Sequence, residues 1–206
     1  EEFADSRFQV LSELTRLRQL CCDPALVYEN YEGGSAKLDL CIELIQSAVE
    51  SGHKILLFSQ FTSMIEILTA RLQEESISCF VLQGSTKKEQ RAQMVEQFNR
   101  DDTSVFCISL KAGGTGLNLT GADIVIHYDP WWNVAVENQA TDRAHRIGQK
   151  NVVTVYKLIA KGTIEEKIIK LQQMKKELAE EILSGDEIKT ASFQREELLE
   201  LLEERF

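Results

Sequence analysis

Two hydrophobic periods alternate along this chain. The amino end has the helical one. Apolar positions recur at Phe8, Leu11, Leu14, Leu17 or Arg18, and Cys21, the spacing of a helix with one buried face, and Pro24 closes it. Residues 28–35 are polar, carry Gly33-Gly34 and read as a loop. A second helix is predicted from Ala36 to Ser51, with Leu38, Cys41, Ile45 and Ala48 turned inward and Gly52 as its stop.

From Lys54 the period changes. A short continuous apolar run at Lys54–Phe58 reads as a strand covered on both faces, and Cys79–Leu82, Val105–Ser109, Ile124–Tyr128 and Val152–Ile159 read as four more strands. Helical patterns separate them. Ser63 with Glu66, and Thr86 with Glu89, have the spacing of capping boxes. The first would open a helix through Glu75, the second a helix burying Ala92, Val95 and Phe98. Thr163 with Glu166 opens a long helix through about Leu183. A last amphipathic helix, Arg195 to Arg205, carries Leu198, Leu199, Leu201 and Leu202. Strand and helix in strict alternation predict an α/β domain whose parallel sheet is sandwiched by helices. In such sheets ligands gather at the carboxyl ends of the strands. Ser59-Gln60, Gln83 to Thr86, Leu110 to Gly116 and Asp129 to Asn133 all fall there.

The chemistry concentrates after the fourth strand, from Asp129 to Gln149. Trp131-Trp132 stand side by side; in an extended segment adjacent residues point to opposite faces, so one is left to stack on a base or sugar. A core or interface aromatic is the commoner use of a tryptophan. Gln139, Asp142, Arg143 and Arg146 follow at spacings that place them on one face of a helix. Arginine presents a planar fork of donors that fits phosphate oxygens. The phosphate could belong to a nucleotide or a nucleic acid, or the face could serve neither.

Two phosphate-binding patterns can be tested directly. A P-loop needs Gly-x-x-x-x-Gly-Lys-Ser/Thr; Gly116 and Gly121 have the spacing, but Ala122-Asp123 stands where Lys and a hydroxyl belong. Gly-x-Gly-x-x-Gly also fails, because Leu119 follows Gly114-Thr-Gly116. The chain therefore lacks its own triphosphate cradle. Lys111-Ala-Gly-Gly-Thr-Gly116 could bring bare N–H groups to a phosphate or simply make a tight turn. Gly84-Ser85-Thr86-Lys87-Lys88 reads as a solvated cap with two surface lysines. Asp129 ends a strand like a magnesium-binding acid, but Pro130 follows and no Glu supports it, which favours a turn-forming role.

Charge refines the picture. The net charge of −10 argues against a general nucleic-acid coat. The acid sits at the two ends: residues 1–50 hold four Lys/Arg against ten Asp/Glu, and residues 165–206 hold seven against twelve. Between Arg143 and Ile164 stand five Lys/Arg and no acid, a footprint for a few phosphates rather than a long track. Five cysteines without a Cys-x-x-Cys pair, and three scattered histidines, point to reduced thiols and no metal site. No Ser/His/Asp or Cys/His arrangement suggests covalent catalysis. No signal peptide and no membrane span are expected. The chain opens without Met, in mid-pattern, and reads as a piece of a longer protein.

Leu17-Arg-Gln-Leu-Cys-Cys-Asp-Pro24, Lys54-Ile-Leu-Leu-Phe-Ser-Gln-Phe61, Leu82-Gln-Gly-Ser-Thr86, Ser109-Leu-Lys-Ala-Gly-Gly-Thr-Gly-Leu-Asn-Leu119 and the whole of Asp129 to Gln149, in this order, resemble the successive signatures of the Swi/Snf family of helicase-like, DNA-translocating ATPases. The resemblance is to the second RecA-like lobe, covers about Arg16 to Ile182, and is too long for a chance match. It implies the second lobe of a double-stranded DNA translocase of the chromatin-remodelling type, and a three-part layout. Residues 1–35 would be an N-terminal helix and linker, 36–162 the RecA-like lobe, and 163–206 a brace helix and terminal helix.

By the same resemblance, Arg143 and Arg146 would be arginine fingers, and Gly114, Gly116 and Gln139 would line the nucleotide side. Gln60, Phe61, Gly84, Ser85, Lys111, Gly113 and Trp132 would contact DNA. ATP and Mg would be held mainly by an N-terminal ATPase lobe of the same protein, so the lobe alone is expected to be inactive. Further expected partners are DNA-bound protein complexes. The expected location is the cytoplasm or nucleoid in a prokaryote and the nucleus in a eukaryote. The pattern departs at Val134, where the family has Pro, which loosens the start of that helix without removing a contact. The competing reading is a non-catalytic nucleic-acid- or protein-binding module that kept the fold.

Overall fold

In a computed structural model of the chain, residues 2–113, 117–144 and 151–183 are described. The apolar runs form five parallel strands: β1 (Ile55–Ser59), β2 (Cys79–Leu82), β3 (Val105–Ser109), β4 (Ile124–His127) and β5 (Thr154–Lys157), in the order β2-β3-β1-β4-β5. The strand pattern decides the layers. Ile55 and Leu57 of β1 face one way, as do Val105 and Cys107 of β3, and join one core. Leu56 and Phe58, with Phe106 and Ile108, face the other way and join a second. A period of two, buried on both faces, forces helices onto both sides.

The first side is covered by α2 (Ala36–Glu50) and α3 (Thr62–Glu74), which contribute Ile42, Ile45, Leu68 and Leu72. The second is covered by α4 (Lys88–Arg100), through Phe98, and by the short α5 (Val134–Thr141), through Ala140. Two further helices flank the sheet: α1 (Glu2–Cys22) and α6 (Ile164–Leu183). Leu14 of α1 and Ile164 and Ile168 of α6 make a small third cluster. Gly52, at φ +80°, ends α2, a conformation that suits a residue without Cβ.

The chain crosses from β3 over β1 to β4, so β1 and β4 are neighbours whose following helices leave on opposite sides. That is the crevice where α/β sheets bind ligands. It is bounded by Ser59 to Phe61 on one strand exit and by Tyr128 to Trp132 on the other.

Several expectations need correction. The helix α3 starts at Thr62 with Phe61 as its N-cap and no side-chain cap, so Ser63 and Glu66 form no capping box. Likewise α4 starts after Lys87 without a side-chain cap; the Thr86 hydroxyl instead accepts from the Gln83 amide at 3.1 Å. Ala92 is exposed, and half-buried Met94 and Val95 pack with Phe98 in its place. At α6, Thr163 does cap, accepting from the Glu165 amide at 3.2 Å, while Glu166 reaches back to Gly162. On α1 the inward stripe runs through Leu14 and Arg18, 2% and 5% exposed, and Leu17 is 40% exposed. Residues 195–205 lie outside the described residues.

Candidate functional site at the carboxyl rim of the sheet

At the exit of β4, Asp129 is only 1% exposed. A buried carboxylate must be satisfied. Its oxygens accept from the Ser59 hydroxyl at 2.6 Å, the Gln60 amide at 3.3 Å and the Gln60 side-chain amide. Burial pushes its pKa up, against the pull of the Ser59 hydrogen bond, Lys37 and Arg18. Asp129 is therefore more than a turn former: it ties the exits of β1 and β4 together and fixes Gln60.

The two tryptophans diverge as their adjacency requires. Trp131 packs on the second core. Its backbone is held from two sides: its N–H donates to Glu137 at 3.4 Å, and its carbonyl accepts from Gln172 of α6. Trp132, half-buried, leans on the α1/α6 cluster. Arg18 of α1 sits 5.2 Å from its ring and 5.8 Å from the ring of Phe61, and donates to the Pro130 carbonyl at 2.8 Å. Burial lowers the pKa of Arg18, opposed by the Asp129 charge.

After Trp132, Asn133 caps α5 by accepting from the Ala135 amide at 3.0 Å. This helix buries a carboxylate, Glu137, which is ion-paired to Lys157 on β5. It ends at Thr141, and tight turns from Ala140 to Arg143 and from Thr141 to Ala144 follow. That ending corrects one expectation. Gln139 and Asp142 are exposed, but Arg143 turns inward to 4% exposure, with its guanidinium 5.8 Å from the Phe58 ring. Gln139, Asp142 and Arg143 therefore do not share one helix face. The reverse side of α5 rests on His127, whose Nε2 lies 3.0 Å from the Thr141 hydroxyl and whose ring stacks on Phe58 at 5.5 Å. Burial drives its pKa down to about 4. Arg146, Gly114 and Gly116 lie outside the described residues, as does the Lys111 side chain.

The two remaining candidate loops are joined by Arg91 of α4. Its guanidinium donates to the carbonyls of Gly84 at 3.1 Å and Gln83 at 3.3 Å, and to that of Ala112 at 2.9 Å. Ala112 belongs to the 3-10 turn Leu110–Gly113, so one arginine holds the Gln83–Thr86 loop against the turn after β3. Gly84 and Ser85 are exposed. The structure thus brings Gln60, Phe61 and Trp132 into one group, and Gly84, Ser85 and Gly113 into another, on a single rim. Sequence reasoning missed Arg18, Arg91 and Glu137. For Arg18 a signal existed: it shares the inward stripe of α1.

A model of the helicase conserved C-terminal domain matches residues 36–148. An uncharacterized ATP-dependent helicase of Mycoplasma pneumoniae is 45% identical over 202 residues, covering 96% of this chain and 19% of its own length. The chain spans about a fifth of the length of the curated relatives it matches. The Sulfolobus solfataricus SWI2/SNF2 ATPase C-terminal domain superposes with a TM-score of 0.72 at 33% identity, over 94% of this chain and 81% of that one. The SWI2/SNF2 ATPase core of the same organism, in complex with dsDNA, gives 0.71 at 37% identity, over 86% of this chain and 38% of that one. The chain belongs to the helicase conserved C-terminal domain family, and its parallel five-stranded sheet is the RecA-like C-terminal lobe of the SWI2/SNF2 type.

Proposed function

We propose that this chain is the second motor lobe of an ATP-dependent translocase on double-stranded DNA. Residues 36–162 form the lobe proper, 1–35 lead into it, and 163–206 brace it. One observation carries the reading. A single turn, Asp129 to Asn133, places Trp132 on one side of the rim and opens the helix leading to Arg143 on the other. The S. solfataricus relative with this fold was solved in complex with dsDNA, which supports DNA binding, and our reading puts the groove on the tryptophan side. On that side Gln60, Phe61, Trp132, Lys111, Gly113, Gly84 and Ser85 contact the DNA backbone. The last two loops are kept at a fixed spacing by Arg91.

The other side suits a nucleotide phosphate. An exposed amide, Gln139, and the largely desolvated cation Arg143 supply donors for an anion on this edge, beside the exposed carboxylate of Asp142. A cation kept out of water acts through a lower dielectric and is felt more strongly. Arg143 and Arg146 are the fingers. Gln139, with Gly114 and Gly116, lines the nucleotide side. Bound ATP with Mg supplies a phosphoryl group for transfer to water, and its cradle belongs to the N-terminal lobe of the parent protein. Positioned arginines lower the barrier by facing charge that spreads over the transferring phosphoryl, an effect of a thousandfold or more in rate, roughly, where it has been measured.

The test is DNA-dependent ATP turnover by the full-length parent with single- and double-stranded DNA compared. Arg146→Ala should lower DNA-stimulated kcat by about a thousandfold while DNA affinity stays within about threefold. Equal loss of both would refute the finger role, and no stimulation of the wild-type parent by double-stranded DNA would refute the motor.

A further inference from the structure

Arg18 is an expensive group to bury. It is 5% exposed, and its Nε has no hydrogen-bond partner among the described residues. Removing a cation from water and leaving one donor unsatisfied is a poor way to stabilise a helix contact. Its neighbours on the inward stripe, Leu14 and Cys21, show what the position would hold if packing were the only demand. Its ring and hydrogen-bond contacts lie at the crevice between the β1 and β4 exits: the Phe61 ring, the Pro130 carbonyl and the Trp132 ring.

Those partners are set where the sheet launches its helices. Phe61 is the N-cap of α3, and Trp132 precedes Asn133, the N-cap of α5. One turn further along α1, the Cys22 carbonyl accepts from the Tyr128 hydroxyl at 2.8 Å. The same helix thus grips the chain on both sides of Asp129. One turn earlier on the same face, Leu14 packs on Ile164 and Ile168 of α6, whose Gln172 holds the Trp131 carbonyl. The turn that carries Trp132 into α5 is gripped from outside the sheet by two helices, and Arg18 is the only charged side chain in direct contact with both rings among the described residues.

We infer that Arg18 is a positioning residue that makes the DNA side and the arginine-bearing side of the rim move as one body. Its guanidinium, sandwiched between Phe61 and Trp132, senses the aromatic contacts. Its bond to Pro130 passes their position to the start of α5. This rests on the motor reading for its consequence, but the clamp itself can be measured without turnover.

The experiment uses the full-length parent with Arg18→Met, which keeps the reach and removes the charge and donors, and Arg18→Lys, which keeps the charge. Arg18→Met should lower double-stranded-DNA-stimulated kcat by about tenfold, with KM for ATP and Kd for DNA moving less than about threefold. Hydrogen exchange, read by mass spectrometry, should quicken in peptides spanning residues 131–141. Arg18→Lys, which keeps a cation in the same hole, should lose only about threefold in kcat and serves where the Met variant does not fold. Three results would overturn the proposal: unchanged kcat in both variants, unchanged exchange in residues 131–141, or a parallel fall of kcat, ATP affinity and DNA affinity that marks a merely structural residue. A wild-type parent without DNA stimulation would defeat the motor reading instead, and the exchange data alone would then decide the clamp.

Discussion

The helices α3 and α5 leave adjacent strands of one sheet and are held by opposite kinds of force. The first buries Met64, Ile65, Leu68 and Leu72, all at 0% exposure, at the spacing of a single helix face. Each such side chain contributes about 1.5–3 kcal/mol of burial. The second has eight residues and buries Glu137 and Ala140. A helix that short is marginal without help, and its fully buried apolar side chain is one methyl group, with Val134 and Val136 only half-buried. It is kept in place by contacts at its edges: the Asn133 cap, the Glu137–Lys157 pair, the Thr141–His127 bond, and the grip of Arg18 and Gln172 on the turn before it. One helix is fastened by area, which is non-directional and hard to rearrange. The other is fastened by a few directional bonds, which can be exchanged one for another. An element that must shift when a cleft closes belongs to the second kind.

The sharpest way to break the comparison is to remove area from each helix. Leu68→Ala should cost the lobe about 2–5 kcal/mol, the usual range for a leucine cut from a closed core, read as a fall in the denaturant midpoint at constant slope. No equivalent change exists in α5, because the buried apolar position there, Ala140, is already alanine. A Leu68→Ala loss below about 1 kcal/mol would mean that α3 is as loosely held as α5.

The next test acts under α5 alone and uses pH. Burial lowers His127 from the ordinary 6.5 to about 4. The unfolded chain takes up the proton below about 6.5 and the folded chain only below about 4. Stability from this group is therefore fully present above the upper value and is lost as pH falls through that window, by roughly 3 kcal/mol at most. Asp129 and Glu165, both raised by burial, act with the opposite sign and gain stability on acidification. The difference between wild type and His127→Gln isolates the histidine. Urea midpoints from pH 7.5 to 4 should fall more steeply in the wild type, and parallel slopes would show that His127 is not the buried, neutral group the geometry describes.

The same contrast explains what could be read from the sequence. The strands were legible because continuous apolar runs leave little choice. A helix through Glu75 was legible after β1, but its first residue was not, because the expected capping box does not form. The end of α5 was not: no glycine or proline stands between Thr141 and Gly148, so the pattern invites a helix through Arg146 with Arg143 on the same face as Gln139. What turns Arg143 inward is the Phe58 ring and a bond from the Leu119 amide to its carbonyl at 3.1 Å, set by distant segments. Arg18 and Pro130 are 112 residues apart, and Ser59 and Asp129 are 70 apart. A buried arginine and a solvated one look alike until the fold supplies their partners. The capping boxes teach the same lesson at short range. The pattern occurs at Ser63, Thr86 and Thr163, but only at Thr163 does the helix start where the hydroxyl can use it.

The smallest expected effect sharpens the comparison where α5 begins. Val134 is the first residue of that helix, and the amides of Ala135 and Val136 already have partners in Asn133. The Val134 amide makes no intrahelical bond, as is usual for a first-turn donor. Proline fits this position because its ring pre-sets a helical φ and its missing N–H is not needed. Val134→Pro should therefore stabilise the lobe by about 0.4–1 kcal/mol, chiefly by restricting the unfolded chain, and raise Tm by a few degrees. The side chain is half-buried, so a loss of stability instead of a gain would mean that valine contacts outweigh the restricted backbone. If the gain appears while exchange in residues 134–141 does not slow, then the start of α5 is already fixed by the turn before it, and the grip on Pro130 and Trp131, rather than the helix's own first residue, sets where the arginines point.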